Sequence, residues 1–132
     1  ARLTMEKLSR AMAKGLVRAC HDCSEGGIGV AVAEMAFAGG LGAVINLRAV
    51  PLAGKITRDD AVLFSESNSR FMVEVAPSKK AAFEKTLKGV VFTEIGVVNK
   101  LANLKVNGLK GKPVLNEKLA DLKEAWQQPL RW

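Results

Sequence analysis

The sequence predicts an α+β domain in which helices cover one mixed β-sheet. Segments whose apolar residues recur at helical spacing alternate along the chain with short runs of strand-like alternation. The chain has 132 residues, which is the size of one ordinary domain. Its 48% hydrophobic and 25% charged residues are near the globular average, so a disordered chain is excluded.

Two helices are predicted in the first forty residues. Thr4 is expected to cap the first helix. The buried face of this helix is predicted to consist of Met5, Leu8, Met12 and Leu16. Residues 16–20 form either a short strand or the end of the helix, and residues 21–27 are predicted to be a loop. The second helix starts near Ile28, is rich in small residues and ends at Gly39-Gly40.

The middle of the chain is predicted to alternate strands and helices. Apolar and polar residues alternate over residues 41–47 and 71–75, which predicts two strands. Thr57 is expected to cap a helix between them, with two aspartates in its first turn, where they oppose the helix dipole favourably. Ser78 is expected to cap a further helix. The buried residues of that helix are predicted to be Phe83 and Leu87.

The last third is predicted to contain three short strands and a helix. The strand-like runs cover residues 90–93, 95–98 and 101–106. Asn107-Gly108 is a dipeptide typical of hairpin turns. The final helix is predicted to be introduced by Pro113 and Asn116 and to continue through Ala125.

The net charge of +7 is concentrated at the two ends of the chain. Residues 1–20 hold five basic side chains and one acid, and residues 100–132 hold seven and three. The basic stripe of the first helix, Lys7, Arg10, Lys14 and Arg18, is interpreted as a solvated face or, alternatively, as a docking surface for an acidic neighbour. The chain has no Tyr and only 5% aromatic residues, too few for a typical single-strand binder, so we expect no nucleic-acid partner.

Cellular location follows from what the sequence lacks. We expect no membrane association and no secretion, because no apolar run approaches the roughly 18 residues of a membrane span and no signal peptide is recognisable. Two cysteines are too few for a disulfide scaffold, which favours the cytoplasm. The first residue is not Met, so we expect processing or a piece of a longer chain.

The loop before the second helix is the first candidate binding element. Gly26 and Gly27 would let backbone N–H groups approach a phosphate at a helix N-terminus, and Ser24 would donate its hydroxyl to the same oxygens. The alternative is that Ser24 caps the helix while the glycines form a tight turn. His21 and Asp22 are assigned supporting roles, because a structural hydrogen bond explains the one histidine better than general-base chemistry.

A second polar corner follows the third predicted helix at residues 65–70. Glu66 could bind hydroxyls or a cation, Arg70 could bind a phosphate, and Ser67 and Asn68 add hydrogen-bonding groups. The alternative is a solvated turn with an internal Glu–Arg pair. We expect this corner and the glycine loop to meet at one cleft that holds an anionic small molecule.

Neither a catalytic residue nor a metal site is predicted. Cys20-x-x-Cys23 lacks the further ligands of a tetrahedral zinc site and the helical setting of a redox pair, so we interpret both residues as ordinary buried thiols. One histidine does not provide a nucleophile–base–acid set. The residues alone therefore predict a domain that binds phosphate or nucleotide ligands.

Three motifs in order give the chain a family resemblance. They are residues 21–28 (His-Asp-Cys-Ser-Glu-Gly-Gly-Ile), 33–36 (Ala-Glu-Met-Ala) and 63–67 (Leu-Phe-Ser-Glu-Ser). The chain resembles the C-terminal domain of the phosphoribosylformylglycinamidine synthase family, in the aminoimidazole ribonucleotide synthetase superfamily. The resemblance implies a ligase that uses ATP and magnesium to convert formylglycinamide ribonucleotide to the amidine in purine biosynthesis. It also implies upstream domains of the same polypeptide, a glutaminase subunit and a small accessory subunit as partners.

The resemblance further implies where ligands bind. The family's subunit is a tandem duplication, and this chain resembles the second copy. In the first copy, the counterpart of Glu66-Ser67-Asn68 contacts substrate. By the pseudo-symmetry of the two copies, these residues and Ser24–Gly27 would line an active or auxiliary crevice. Residues 1–132 would be a single C-terminal domain without the upstream ATP-binding domain, with no cofactor of its own and no catalysis alone. Residues 123–126 are similar to the end of the small form, whose glutaminase is separate. The alternatives are a selenophosphate synthetase-like or hydrogenase-maturation-like protein, or a stand-alone nucleotide-binding module.

Overall fold

The computed structural model describes residues 1–131, which form two β-sheets and five α-helices. The helices are α1 Arg2–Ala13, α2 Gly27–Gly39, α3 Asp59–Phe64, α4 Lys80–Thr86 and α5 Leu119–Gln127. The strands are β1 Ala19–Asp22, β2 Gly42–Asn46, β3 Phe71–Glu74, β4 Gly96–Asn99, β5 Asn103–Asn107 and β6 Pro113–Lys118. None of the helices in this part of the chain is long and apolar enough to cross a membrane.

The larger sheet has four strands in the order β4-β2-β5-β6. Its central strands β2 and β5 run parallel, whereas β4 and β6 pair antiparallel at the two edges. The core-facing residues of the central strands are buried together with apolar residues of α2; these are Ala43, Ile45, Leu104, Val106, Ile28 and Val32. The predicted α+β class with a mixed sheet is therefore confirmed.

The smaller sheet is one that the sequence did not predict. Strands β1 and β3 pair antiparallel with each other and are separate from the four-stranded sheet. Helices α1 and α4 cover them, and their buried residues form a second apolar cluster of Leu8, Ala11, Phe83 and Leu87. The expected burial of Phe83 and Leu87 is thus confirmed, whereas the single-sheet prediction is corrected to two sheets.

Several predicted helix caps are wrong. Helix α1 begins at Arg2, so Thr4 lies inside it, and neither Thr57 nor Ser78 occupies the N-cap of the helix that follows. Met5 and Met12 are 52% and 43% exposed, because the buried stripe of α1 runs through Leu8 and Ala11 and leaves both methionines at its edge. Helical spacing therefore located the helix and predicted the packing of Leu8 and Leu16 correctly, but it was wrong for the two methionines and missed Ala11.

The C-terminal third differs most from expectation. Residues 90–93 form no strand, and residues 113–118 form β6 where the start of a helix was predicted. A hairpin does form here, but the predicted turn at Asn107-Gly108 is wrong in position, because Asn107 pairs with Pro113 and the turn spans residues 108–112. Edge strand β6 exposes most of its side chains, which explains why its sequence lacks the apolar alternation of a buried strand.

Candidate functional site

The two polar corners lie next to each other because of the small sheet. Asp22, the last residue of β1, is the register partner of Phe71, the first residue of β3. One step further, the Cys23 N–H donates to the Arg70 carbonyl at 2.9 Å. Residues that follow β1 and residues that precede β3 therefore leave the same end of one strand pair. The two polar corners therefore lie side by side, as predicted, and the binding of a ligand between them stays a prediction.

Glycine is required where the corners touch. Gly26 and Gly27 have φ of +74° and +60°, which other residues rarely adopt. A Cβ on Gly27 would lie 2.7 Å from the Ser65 carbonyl oxygen and 2.8 Å from that of Leu63. The start of α2 is thus pressed against the end of α3. The tight turn is confirmed, but the interpretation of Ser24 as a helix cap is wrong, because Gly26 is the N-cap of α2.

A carboxylate already occupies the start of α2. The Gly26 N–H donates to Glu66 Oε1 at 3.2 Å, across forty residues of sequence. Negative charge is favoured here, because the free N–H groups and the dipole of a helix N-terminus attract anions. A phosphate that bonded to this N–H would have to displace or share Glu66. The side chains of Ser24, Glu66 and Asn68 are exposed around the contact, and Ser67 is half-buried.

Arg70 lies behind the corner and is half-buried. Its guanidinium Nη1 donates to Ser65 Oγ at 3.3 Å. The described residues contain no Glu66–Arg70 ion pair, so the alternative of an internal pair is wrong. Arg70 therefore supports the turn and adds positive potential beneath it.

The two cysteines are unreactive by environment. Burial raises the pKa of Cys23 to about 11, against a smaller lowering by the positive charge of Arg70. Burial also raises the pKa of Cys20, and the charge of Asp22 adds to the effect. Both side chains remain thiols near neutral pH and are free, Cys23 buried and Cys20 half-buried. Within residues 1–131 no three potential ligands come together around a metal position.

His21 and Asp22 lie in β1, not in the predicted loop, because this segment continues the pairing with β3. His21 Nε2 is 2.8 Å from Glu34 Oε2, and its Nδ1 is 2.6 Å from the Asp22 carbonyl oxygen. Trp126 Nε1 donates to the other Glu34 oxygen at 2.7 Å. The single carboxylate of Glu34 thus links β1, α2 and α5, which agrees with a structural histidine.

Glu34 and Trp126 were missed as positioning residues. Glu34 belongs to the second of the three motifs, but its partners lie 13 and 92 residues away along the chain. No pattern of neighbouring residues predicts the contacts of Glu34 with His21 and Trp126. The only available signal was a lone acid within an otherwise apolar helix, because such a group needs a partner when it is partly buried.

An apolar cavity of about 300 Å³ lies beside the polar corners. Its walls include Ile28 and Val32 of α2, Leu63 and Phe64 at the end of α3, and Trp126 of α5. Phe64 is 52% exposed at the rim. Apolar walls beside a few convergent polar groups are typical of small-molecule sites. The arrangement is therefore suited to binding a small molecule.

These features agree with a known class of domain. Residues 2–108 match the family described as "AIR synthase related protein, C-terminal domain", and the chain belongs to that family.

More specifically, the chain is similar to subunits of one enzyme. It is 40% identical over 126 residues to the phosphoribosylformylglycinamidine synthase subunit PurL of Limosilactobacillus reuteri (strain DSM 20016), which covers 96% of this chain and 16% of that protein. It is 40% identical over 119 residues to PurL of Synechocystis, covering 88% and 15%. The structure of Thermotoga maritima PurL complexed with ADP superposes with a TM-score of 0.81 at 25% identity, covering 91% and 21%. The chain thus spans about a sixth of the relatives it matches.

Proposed function

We propose that this chain is the C-terminal domain of a phosphoribosylformylglycinamidine synthase subunit. The longer protein would carry out the ATP-dependent amidation of formylglycinamide ribonucleotide in purine biosynthesis, which makes it a carbon–nitrogen ligase. The observation that carries this proposal is the junction of residues 24–27 with residues 65–70, at the polar corner of a domain whose relatives bear that enzyme's name. Identity of 40% over nearly the whole chain supports the same enzyme over other members of the superfamily.

The domain would supply one wall of a ligand crevice. The side chains of Ser24, Ser67 and Asn68 would bond to phosphate oxygens or hydroxyls of the ligand, and Glu66 would bind hydroxyls or a cation. Gly27 permits the close approach of α2 and α3 that brings them together. Structures of Thermotoga maritima PurL complexed with ADP, with ATP and with FGAR support a ligand of this chemistry.

Glu66 would set the charge of the bound ligand. Its carboxylate satisfies the Gly26 N–H and would repel a bare phosphate. Magnesium usually binds through one or two carboxylates together with ligand phosphates and water, and the exposed Glu66 fits one such ligand. The described residues offer no cage of three ligands, so this domain would hold magnesium only together with a nucleotide and the upstream domains.

The partners proposed here follow from the family. They are the upstream domains of the same polypeptide, a glutaminase subunit that supplies ammonia and a small accessory subunit, all in the cytoplasm. A solved assembly named PurLQS from Thermotoga maritima supports the presence of further subunits. The isolated chain would be inactive, because it spans only about a sixth of the relatives' length and the reaction would need the upstream ATP-binding domain.

A domain exchange tests the proposal. In Limosilactobacillus reuteri PurL, the segment matching this chain would be replaced by residues 1–131, guided by the alignment over 126 residues. We expect the chimera to form the amidine from formylglycinamide ribonucleotide with ATP and ammonia, while the isolated chain forms none. A product assay by mass spectrometry reads both reactions.

Two variants of the chimera separate a binding role from mere folding. Asn68→Ala removes an exposed side chain at the crevice and should raise the KM for substrate or ATP without lowering the melting temperature. Lys110→Ala removes an exposed side chain of the β5–β6 turn and should change neither value. A folded chimera without activity, beside an active parent, would contradict the proposal.

A further inference from the structure

A basic groove runs between α1 and α4, on the helices that cover the small sheet. Its volume is about 410 Å³. Four cationic side chains line it, Lys7, Arg10 and Lys14 from α1 and Lys85 from α4, and Leu16 contributes an apolar contact. The groove contains no acidic lining residue. It lies on the helices that contribute the second apolar cluster, away from the junction of residues 24–27 with residues 65–70.

The groove has fixed ends. Lys7 Nζ donates to the Lys88 carbonyl oxygen beyond the end of α4. At the other end, Lys79 Nζ donates to the Gly15 carbonyl oxygen at 2.6 Å. The first contact joins the middle of α1 to the end of α4, and the second joins the end of α1 to the start of α4, so α1 and α4 lie antiparallel with the groove between them. The cations are therefore displayed on a rigid frame.

The positive charge of the groove is not neutralised within residues 1–131. No carboxylate of this part of the chain lies within ion-pair distance of Arg10, Lys14 or Lys85. Glu6, the one acid of α1, is already paired with Arg2 at 2.8 Å. Like charges held together in a concave surface focus the field and attract an anionic partner.

We propose that the basic groove docks an acidic segment of a partner protein. Lys7 and Arg10 lie on one face of α1, and Lys14, its C-cap residue, continues that face, so the three cations are spread over about 10 Å at 1.5 Å per residue. This spread matches a row of carboxylates on an extended or helical segment. Leu16 and the methylene stems of the lysines would contact the apolar side chains between those carboxylates.

Two other polyanions fit the groove less well. A nucleic acid lacks a stacking platform here, because no aromatic residue lines the groove. A small phosphate would find mainly flexible side-chain donors, because the lining residues of α1 lie beyond its first turn and Ala82 is the one lining residue in the first turn of the short helix α4. Charge complementarity with a carboxylate-rich segment is the remaining match.

Fluorescence anisotropy with the whole chain tests this proposal. The probe is a fluorescein-labelled peptide in which glutamate alternates with alanine and leucine, and the reference is the same peptide with glutamine at every glutamate. We expect the glutamate peptide to bind at least about tenfold more tightly, and its affinity to fall as salt rises from about 50 to about 300 mM. Unlabelled oligodeoxythymidylate and pyrophosphate serve as competitors.

Two triple variants carry the same change in net charge. Arg10→Glu/Lys14→Glu/Lys85→Glu reverses the groove but keeps the Lys7 tether and the buried Leu8, and we expect at least about a tenfold loss of peptide affinity. Lys110→Glu/Lys112→Glu/Lys123→Glu alters exposed lysines elsewhere and should change it by less than about threefold. Equal losses in both variants would overturn the proposal, as would tighter binding of oligodeoxythymidylate or pyrophosphate than of the peptide. Circular dichroism establishes that each variant is folded.

Discussion

Adding one methyl group at Gly27 should open the junction between the two polar corners. In Gly27→Ala the new Cβ would lie 2.7 and 2.8 Å from two carbonyl oxygens and 3.0 Å from the Phe64 carbonyl carbon. All three atoms are backbone, so no side-chain rotation relieves the contact. The left-handed φ of +60° costs about 1–2 kcal/mol for a residue other than glycine, and the overpacking adds about 1–3 kcal/mol.

Gly40→Ala isolates the contact from the backbone strain. Gly40 has nearly the same φ, +66°, but an added Cβ would meet nothing within 4 Å. Gly40→Ala should therefore lower the free energy of unfolding only by the cost of the left-handed backbone, about 1–2 kcal/mol. Gly27→Ala should exceed it by about 2 kcal/mol, or about 6–10 °C in melting temperature for a chain of this length.

Urea unfolding and thermal melts of the two variants measure this difference. Both alanines impose the same left-handed strain. Any additional loss of unfolding free energy in Gly27→Ala therefore measures the steric contact between the start of α2 and the end of α3. Equal losses in the two variants would refute the close approach of residues 63–65 to the start of α2, and with it the frame of the proposed crevice.

Three further predictions concern single side chains. Glu66→Ala should speed hydrogen exchange of the Gly26 amide about fivefold, equivalent to about 1 kcal/mol for an exposed charged hydrogen bond, whereas an unchanged rate would show that the bond does not hold the loop. Because burial raises the pKa of Cys23 from 9.0 to about 11, the unfolded chain releases this proton first, and the free energy of unfolding should fall as pH rises from 9 towards 11. The fall should be shallower in Cys23→Ala, and identical pH profiles in urea titrations would contradict the burial. Trp126→Phe keeps an aromatic ring near Phe37 but loses the donor to Glu34, so it should cost about 1 kcal/mol and Trp126→Ala clearly more; unchanged stability in Trp126→Phe would assign no energy to the hydrogen bond.

Glycine positions and the helical spacing of apolar residues predicted some of the helices correctly. Helix α2 was predicted correctly because its two caps, Gly26 and Gly40, both adopt the left-handed conformation that glycine favours. The burial of Phe83 was predicted from a different signal, the helical spacing of apolar residues. The small sheet was not predicted, because β1 and β3 are separated by about fifty residues and no periodicity within either strand specifies its partner.

The candidate site was predictable as a place but not as a set of contacts. Clusters of polar residues at two chain reversals indicated where a ligand could be bound, and the structure brings those reversals together. The pairing of Glu66 with Gly26 could not be read from composition, because a carboxylate beside an arginine four residues later suggests a local ion pair. Burial of the Arg70 side chain towards Ser65 is what leaves Glu66 free to reach α2.

The contact at Gly26 determines what this corner can contribute to a larger enzyme. A helix N-terminus attracts one anion, and here that anion is the protein's own carboxylate. What remains for a ligand is a neutral rim, Ser24, Ser67 and Asn68, over an apolar wall that includes Phe64. In the proposed crevice such a rim would orient a ligand, and the cation beneath it, the half-buried Arg70, already bonds to Ser65. The proposed crevice would therefore take further positive charge from its opposite wall or from a metal carried with the nucleotide, which agrees with the proposal that upstream domains share it.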